Sequence, residues 1–209
     1  QSASELGFTT MMGAGLAEQY AKRFGAPVSE RFKQLSFVAK KQKESSYQRR
    51  LVSPNEDVAR SLQIINDAIN TEMKWVDDMT HWGTADYWAT PAESRASAGG
   101  DCEDFAIAKY YLLKELGVPM IRLRITYVRV LNQGGTAHMV LTYYSRPDAE
   151  PLVLDNMNKQ VLPASRRTDL EPVYTFNDDE VQIARSHKRG MTSQIRNWVL
   201  LQEHLYAEV

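Results

Sequence analysis

The residues whose types and spacing could do chemistry surround a single cysteine. Cys102 lies in the run GGDCEDF at residues 99–105. Apolar residues then recur at steps of three and four, which predicts a helix that begins at the cysteine and ends near Gly117. Free N–H groups and the helix dipole lower a thiol pKa at such a position. We therefore interpret Cys102 as reactive, because a cysteine flanked by acids at a glycine-led helix start is a poor core residue.

The acidic neighbours oppose that activation, because negative charge beside a thiol disfavours the thiolate. Either these carboxylates turn into solvent or a cation neutralises them. Oxygen ligands from Asp101, Glu103 and Asp104 suit calcium better than zinc, with backbone carbonyls and waters completing the shell. Acids in a first helical turn also commonly do no more than complement the helix dipole. The sequence leaves both interpretations open.

A thiol nucleophile needs a base, and the base needs an orienting group. His138 begins a predicted strand and Asp155 ends the next one, so an antiparallel hairpin would bring the two together. The side chains of His138 and Asp155 lie on the same face of the sheet only if the residue numbers of facing residues in the hairpin add up to an odd number. The sequence does not fix this register. We predict that Asp155 accepts the Nδ1 proton of His138 while Nε2 takes the proton of Cys102. His81 is the alternative base.

The elements that must position these residues are helices first and then an antiparallel sheet, which indicates an α+β protein. A long amphipathic helix is predicted over residues 54–76, after shorter helices over 11–24 and from Ser29. Strands are predicted over residues 121–127, 137–144, 152–155 and 181–184, and a last helix over residues 192–209. The alternation slips at Val128, which predicts a bulge or a strand end.

Two stretches show no regular period. Residues 77–100 are interpreted as a long functional loop that leads into the cysteine. Trp88 in this loop would either pack beneath it or form part of the cleft wall. The Cys102 backbone N–H is one predicted oxyanion donor, and Trp88 is a candidate for the second. Residues 156–179 contain prolines and turn residues and are also interpreted as loop.

Composition sets the broad class. The chain has 209 residues, 43% of them hydrophobic, and a net charge of −1, which indicates a globular protein. Nothing in that charge points to nucleic acid or a membrane, and no apolar run reaches transmembrane length. The first residues lack the features of a signal peptide, which fits a cytosolic protein or an exported one without its leader. A single cysteine excludes an internal disulfide.

Three motifs resemble those of the bacterial transglutaminase-like cysteine proteinases. They are the segment at 88–110 around the cysteine, AHMVL at 137–141 and LDN at 154–156. The resemblance covers roughly residues 50 to 185 and implies the triad Cys102, His138 and Asp155. It implies a papain-like or transglutaminase-like α+β fold as one domain over 1–209, with a helical lobe over about 1–117, an antiparallel sheet lobe over about 118–190 and a C-terminal helix over about 192–209.

Within this family, the chain resembles periplasmic proteases that release large biofilm adhesins. The resemblance implies a calcium-dependent cysteine endopeptidase, with Ca²⁺ held through Asp101 and Glu103, that cuts the N-terminal segment of an adhesin. It also implies control by the periplasmic domain of an inner-membrane cyclic di-GMP receptor. Two alternatives stay open, an acyl transferase of the transglutaminase type on the same triad and a calcium-dependent binding module without catalysis.

Overall fold

The structure, a computed structural model, describes residue 22 and residues 54–208. Apart from residue 22, the helices predicted over 11–24 and from Ser29 lie outside these residues. The described helices are α1 (Pro54–Glu72), α2 (Asp78–Trp82), α3 (Pro91–Ser97), α4 (Cys102–Glu115) and α5 (Arg196–Ala207). The described strands are β1 (Lys74–Trp75), β2 (Gly99–Gly100), β3 (Leu123–Val130), β4 (Thr136–Tyr143), β5 (Leu152–Leu154), β6 (Leu162–Pro163), β7 (Leu170–Phe176), β8 (Glu180–Ile183) and β9 (Arg189–Met191).

Helix α1 follows from its apolar spacing. Leu62, Ile65 and Ile69 recur at steps of three and four and are fully buried, and the helix packs against α4. The helix ends before residue 76, because the chain turns into β1, which pairs in parallel with β2. No helix among the described residues combines the length and the apolar content that a membrane span requires.

Helix α4 lies at the centre of the described part of the chain. Every residue from Glu103 to Leu113 is buried, and the helix contacts α1, α3, β3 and β4. It ends where Gly117 adopts a φ of +88°, a conformation that favours glycine. Val118 N–H then donates to the Leu113 carbonyl at 3.0 Å, which satisfies one of the last helical carbonyls. This enclosure fixes the position of Cys102 at the helix start.

Seven strands form one antiparallel sheet in the order β6–β5–β4–β3–β7–β8–β9. The core combines residues of this sheet, such as Ile125, Leu141 and Phe176, with residues of the helices. The predicted α+β class is therefore confirmed, as are the strands predicted at β3, β4, β5 and β8.

A small second cluster of apolar residues identifies the face of the sheet that carries the predicted base. The register between β3 and β7 shifts between Tyr127 and Val128, which confirms the predicted irregularity. Beyond the shift, Val128 packs with Val140 and Val153 in a small second cluster. Side chains alternate along a strand, so His138 lies on the same face of β4 as Val140. The second cluster therefore marks the face that carries the predicted base.

The prediction of an unstructured loop over residues 77–100 is wrong. This segment contains α2, α3 and β2. Helix α3 begins with a capping box, in which Thr90 Oγ1 accepts from the Glu93 N–H at 3.1 Å and Glu93 accepts from the Thr90 N–H at 3.0 Å. Every residue of α3 from Pro91 to Ala96 is buried. A short helix buried on all sides shows no amphipathic period, so its sequence pattern resembles that of a loop.

The prediction of loop over residues 156–179 is also wrong, because it missed β6 and β7. Pro172 lies in β7 opposite Val128, at the point where the register shifts. A proline is tolerated at such an irregularity, whereas in a regular central strand it argues against the assignment. The last helix, predicted over residues 192–209, is confirmed in part: a 3-10 turn at Thr192–Gln194 precedes α5.

Candidate active site

Cys102 is the first residue of α4, as the sequence predicts. Strand β2 leads into the helix, and the Asp104 side chain folds back to accept a hydrogen bond from the Asp101 N–H at 3.3 Å. A Cβ on Gly100 would lie 2.6 Å from the Asp104 Cβ, which is closer than real atoms approach. Glycine is therefore required at residue 100 for this carboxylate to sit over the turn that presents the thiol.

The side chains around the Cys102 thiol favour its protonated form. Its Sγ donates a hydrogen bond to Glu103 Oε2 at 3.0 Å. Burial raises the pKa of the thiol, and the charges of Glu103 and Asp101 raise it further, whereas the backbone N–H of Met139 lowers it. The prediction of a lowered thiol pKa is wrong for the chain alone, because burial and the acidic neighbours outweigh the helix terminus.

The acidic side chains around the thiol do not turn into solvent. Glu103 is 7% exposed and Asp104 is fully buried, while Asp101 is half-buried. Of the two arrangements considered from the sequence, solvation of the acids is therefore excluded. The remaining arrangement requires a neutralising cation or proton.

The structure adds Asp78, which the sequence did not single out, to the predicted acids. Carboxylate oxygens of Asp78, Asp101 and Asp104 lie within 4.8 Å of one another, and Glu103 groups with Asp101 and Cys102. Burial raises the pKa of Asp78 to about 6 and also raises the pKa of Asp101 and Asp104. The buried Oδ1 atoms of Asp78 and Asp101 have no hydrogen-bond partner among the described residues. A cluster of hard oxygen donors with unpartnered buried oxygens fits a divalent cation of the calcium type.

His138 and Asp155 are in direct contact. The distance from His138 Nε2 to Asp155 Oδ1 is 2.8 Å, and both side chains are buried. Leu141 of β4 faces Leu154 of β5. These two residue numbers add up to an odd number, so this register places His138 and Asp155 on the same face of the sheet. The register, extended by one residue, places position 155 opposite position 140. Asp155 is therefore a diagonal neighbour of His138 on the same face.

The predicted roles of the two imidazole nitrogens are wrong. The structure places Nε2, not Nδ1, against Asp155. A carboxylate only accepts hydrogen bonds, so the neutral imidazole carries its proton on Nε2 and leaves Nδ1 as the free acceptor. His138 and Cys102 line one cleft, so Nδ1 is the nitrogen available to the thiol.

The carboxylate of Asp155 is ionised and has several donors. Burial alone would raise its pKa, but hydrogen bonds from His138, the Met157 N–H and Arg167 lower the pKa to about 2. Arg167 Nη2 donates to Oδ2 at 2.8 Å, and Met157 N–H donates to Oδ1 at 2.9 Å. Arg167 was missed from the sequence because it lies in the segment interpreted as loop, where one arginine near an aspartate carries no pattern.

An open cleft of about 450 Å³ connects the nucleophile and the base. Cys102, Asp101 and His138 line it, together with Trp75 and Met157. Trp75 is 63% exposed and Met157 is 49% exposed, so the rim presents apolar surface to solvent. The thiol therefore lies beside a cleft that is open to solvent.

Two other sequence candidates lie away from this cleft. Trp88 is 6% exposed, stacks on Phe176 with ring centroids 5.7 Å apart, and donates from Nε1 to Asp86 Oδ1 at 3.1 Å. It is a core residue and does not line the cleft wall. His81, the alternative base, lies against Trp82 with ring centroids 4.3 Å apart and ring planes tilted by 35°, and it does not line the cleft either.

Comparison with known proteins places this arrangement in one family. The sequence model of the bacterial transglutaminase-like cysteine proteinases matches residues 27–183. No curated protein sequence matches the chain significantly. An EGTA-treated structure of Legionella pneumophila LapG is 31% identical and covers 98% of both chains, with a TM-score of 0.75.

Two more LapG structures from the same organism agree. One is 32% identical, covers 98% of this chain and 96% of the other, and has a TM-score of 0.74. A calcium-bound one is 33% identical, covers 90% of this chain and 97% of the other, and has a TM-score of 0.73. The expected transglutaminase-like fold is thereby confirmed, and this chain, a cysteine protease similar to LapG over nearly its whole length, belongs to the bacterial transglutaminase-like cysteine proteinase family.

Proposed function

We propose that the chain is a calcium-dependent periplasmic endopeptidase that cleaves the N-terminal region of a large surface adhesin. Release of the adhesin promotes biofilm dispersal, and an inner-membrane cyclic di-GMP receptor controls the protease through its periplasmic domain. The observation that carries the chemistry is the 2.8 Å contact between His138 Nε2 and Asp155 Oδ1 beside the cleft that Cys102 also lines.

The proposed reaction uses this chain's own residues as follows. His138 Nδ1 accepts the Cys102 proton, and Sγ attacks the carbonyl carbon of the scissile peptide bond. The imidazolium, stabilised by Asp155, then donates its Nδ1 proton to the departing amine. Water hydrolyses the thioester with His138 as the base, which restores the thiol. The Cys102 N–H, at the start of α4, is the proposed first donor to the oxyanion.

Calcium would be held by Asp78, Asp101 and Asp104, with Glu103 beside them. When bound, the ion supplies positive charge that neutralises the buried acids next to the thiol. The acids then no longer oppose a thiolate at the helix start, so removal of calcium should favour the protonated thiol. The existence of LapG structures in calcium-bound and EGTA-treated forms supports the assignment by similarity.

The substrate, the receptor and the compartment rest on similarity to the family. The adhesin segment must enter the cleft as an extended chain to bring a backbone carbonyl to Cys102. The exposed side chains of Trp75 and Met157 at the rim suit such a segment. The receptor's periplasmic domain is proposed as the regulatory partner, and neither nucleic acid nor membrane insertion has a part in this function.

The proposal is tested by incubating a purified adhesin N-terminal fragment with the calcium-loaded protein and identifying the products by mass spectrometry. We expect two fragments with the wild type and none with Cys102→Ala or His138→Ala. His187→Ala is the matched control, since His187 is exposed and should leave cleavage unchanged. Excess chelator should stop cleavage, and added calcium should restore it.

Other products would identify another function. Amine-labelled or cross-linked fragment, without cleavage, would show an acyl transferase on the same triad. Cleavage that continues in excess chelator would reject the calcium assignment. A third outcome is that the wild type binds the fragment without cleaving, cross-linking or labelling it, and that Cys102→Ala binds it equally well. That result would show a binding module and contradict the protease proposal.

A further inference from the structure

Asp155 has two carboxylate oxygens, and each has a different partner. Oδ1 receives His138 Nε2 and the Met157 N–H, whereas Oδ2 receives Arg167 Nη2 at 2.8 Å. We propose that Arg167, anchored by Asp169, is a positioning residue that holds Asp155 so that Nε2 of His138 stays protonated and Nδ1 stays free for Cys102. The effect on turnover rests on the proposed protease function, but the effect on the imidazole does not.

Asp169 holds the Arg167 guanidinium through two hydrogen bonds. Arg167 Nε donates to Asp169 Oδ1 at 3.0 Å, and Nη2 donates to Asp169 Oδ2 at 2.9 Å. A planar guanidinium held by two parallel bonds has little freedom to rotate. Arg167 is 5% exposed and Asp155 is 1% exposed, so the bond between these two residues is screened from water, whereas the side chain of Asp169 is 31% exposed. The Nη2 atom therefore reaches Asp155 from a fixed direction.

The location of Arg167 explains how it reaches Asp155. The residue follows the 3-10 turn at Ala164–Arg166, and Ala164 and Leu170 pack against the second cluster of Val128, Val140 and Val153. Val140 lies on the face of β4 that carries His138. The segment between β6 and β7 thus crosses the sheet on the side of the catalytic pair.

Another cation is close to Asp155 but does not have the same geometry. Lys109 of α4 is buried, and its charge acts on Asp155 and on Asp67 of α1. Its Nζ lies 5.8 Å from the centroid of the Phe105 ring. The charged or titratable side chains that act on Asp155 include His138, Arg167 and Lys109, and Asp169 interacts with both Arg167 and Asp155. Of the two cations, Arg167 donates a hydrogen bond to the carboxylate, so orientation depends on it.

Loss of Arg167 should therefore change the imidazole as well as the stability of the fold. Without this donor, Oδ2 is a buried acceptor with no partner, and the carboxylate can rotate to find one. Rotation moves Oδ1 away from Nε2, so the preference for the Nε2–H tautomer weakens. A merely structural arginine would lower stability and leave the tautomer unchanged.

The experiment compares Arg167→Met, Arg167→Lys and Asp169→Asn with the wild type in ¹H–¹⁵N spectra of the calcium-loaded protein, with His138 assigned by His138→Gln. Arg124→Met is the matched control, because Arg124 forms an ion pair with Glu180 on the same sheet, away from the cleft. The wild type and the control should show protonated Nε2 and unprotonated Nδ1. Arg167→Met should lose that signature, and Arg167→Lys and Asp169→Asn should show it weakened.

Turnover of the adhesin fragment gives a second readout. We expect Arg167→Met to lower kcat roughly 10- to 100-fold with little change in KM, because a misplaced catalytic group affects the reacting geometry more than binding. In an Asp155→Asn background the same substitution should have almost no further effect on kcat. A kcat for Arg167→Lys that lies between those of Arg167→Met and the wild type would support positioning by charge and hydrogen bonding together.

The outcomes separate the two proposals. An unchanged His138 signature in folded Arg167→Lys and Asp169→Asn proteins would overturn the positioning role, whatever the reaction is. If Arg167→Met does not fold, these two variants decide the question. A changed signature with no cleavage by the wild type would instead keep the positioning role and reject the adhesin protease.

Discussion

At the scale of single residues, the site combines an ionised carboxylate with several carboxylates that resist ionisation. Hydrogen bonds lower the pKa of Asp155 to about 2 despite its burial, whereas burial raises the pKa of Asp78 to about 6. The difference comes from donors: Asp155 has His138, Arg167 and a backbone N–H, whereas Asp78 Oδ1 has no described partner. These differences fit the proposed roles, in which Asp155 orients the base and the other carboxylates receive a cation.

Asp155 should contribute stability that depends on pH. Its pKa is depressed from an ordinary value of 3.8, so this stability is present above about pH 4 and is lost as pH falls towards 2. The difference in unfolding free energy between wild type and Asp155→Asn should therefore shrink by about 2 kcal/mol between pH 5 and pH 2. Urea titrations at several pH values measure it. Asp148→Asn, at an exposed site, should give a constant difference; parallel pH curves for both variants would refute the assignment.

The sequence singled out Cys102, His138 and Asp155 as the predicted nucleophile, base and orienting acid because each stands at a recognisable end of an element, and the structure places His138 against Asp155. It also indicated an acidic metal site from Asp101, Glu103 and Asp104. Asp78 and Arg167 could not be found in this way. Each reaches the site through tertiary contacts, from a short helix and from a connection between strands, and neither has a spacing that relates it to Cys102.

At the scale of elements, the turn from β2 into α4 holds the thiol and the acids together. Gly100 lies against Asp104, and Asp104 Oδ1 also accepts from the Ala89 N–H at 2.9 Å. This one carboxylate therefore connects β2, the segment before α3 and the start of α4. Any side chain at residue 100 would have to displace it.

Gly100→Ala should therefore destabilise the protein and weaken calcium binding. The added Cβ would meet the Asp104 Cβ, which is close to the backbone and cannot move freely, so we expect a loss of about 1–3 kcal/mol. Gly190→Ala is a useful comparison, because its Cβ would meet Oε1 at the flexible end of Gln194. Thermal unfolding and calcium titration measure both effects. Equal, small effects of the two substitutions would show that the turn does not depend on glycine.

Elements with a clear period were predictable, and elements stabilised by their surroundings were not. Helix α1 buries residues at steps of three and four, and the apolar residues of α4 and β3 recur in the sequence at helical steps and in alternation. Helix α3 is buried on all sides, and β7 contains Pro172 at the shift in register. Their patterns resemble loops because packing and strand pairing, not local propensity, decide their structure.

At the scale of the whole molecule, the proposed calcium site would couple metal binding to the stability of the fold. Without the ion, holding these acids in the buried cluster costs stability because their pKa values are raised, and this cost falls as pH drops below the raised pKa of each acid. Calcium bound at about 100 times its Kd should stabilise the protein by about 2.7 kcal/mol, which corresponds to a rise in Tm of about 5–10 °C. Scanning calorimetry with calcium and with chelator measures this difference.

Asp78→Asn should remove most of the stabilisation that calcium gives to the protein. The asparagine side chain keeps an acceptor for the Tyr87 N–H but carries no charge, so the metal-free variant should be more stable than the metal-free wild type at pH 7, by about 1–3 kcal/mol. Calcium should then raise its Tm little. Asp179→Asn, at an exposed site, should behave as the wild type. A normal calcium response in Asp78→Asn would remove Asp78 from the ligand set.

The central claim is that His138 activates the chain's single cysteine. The most direct measurement is the rate at which iodoacetamide alkylates Cys102 in calcium-loaded protein at neutral pH, followed by mass spectrometry. We predict that His138→Ala slows alkylation at least about tenfold, while His187→Ala leaves the rate unchanged. Equal rates in wild type and folded His138→Ala would contradict the account, because the thiol would then react without its base.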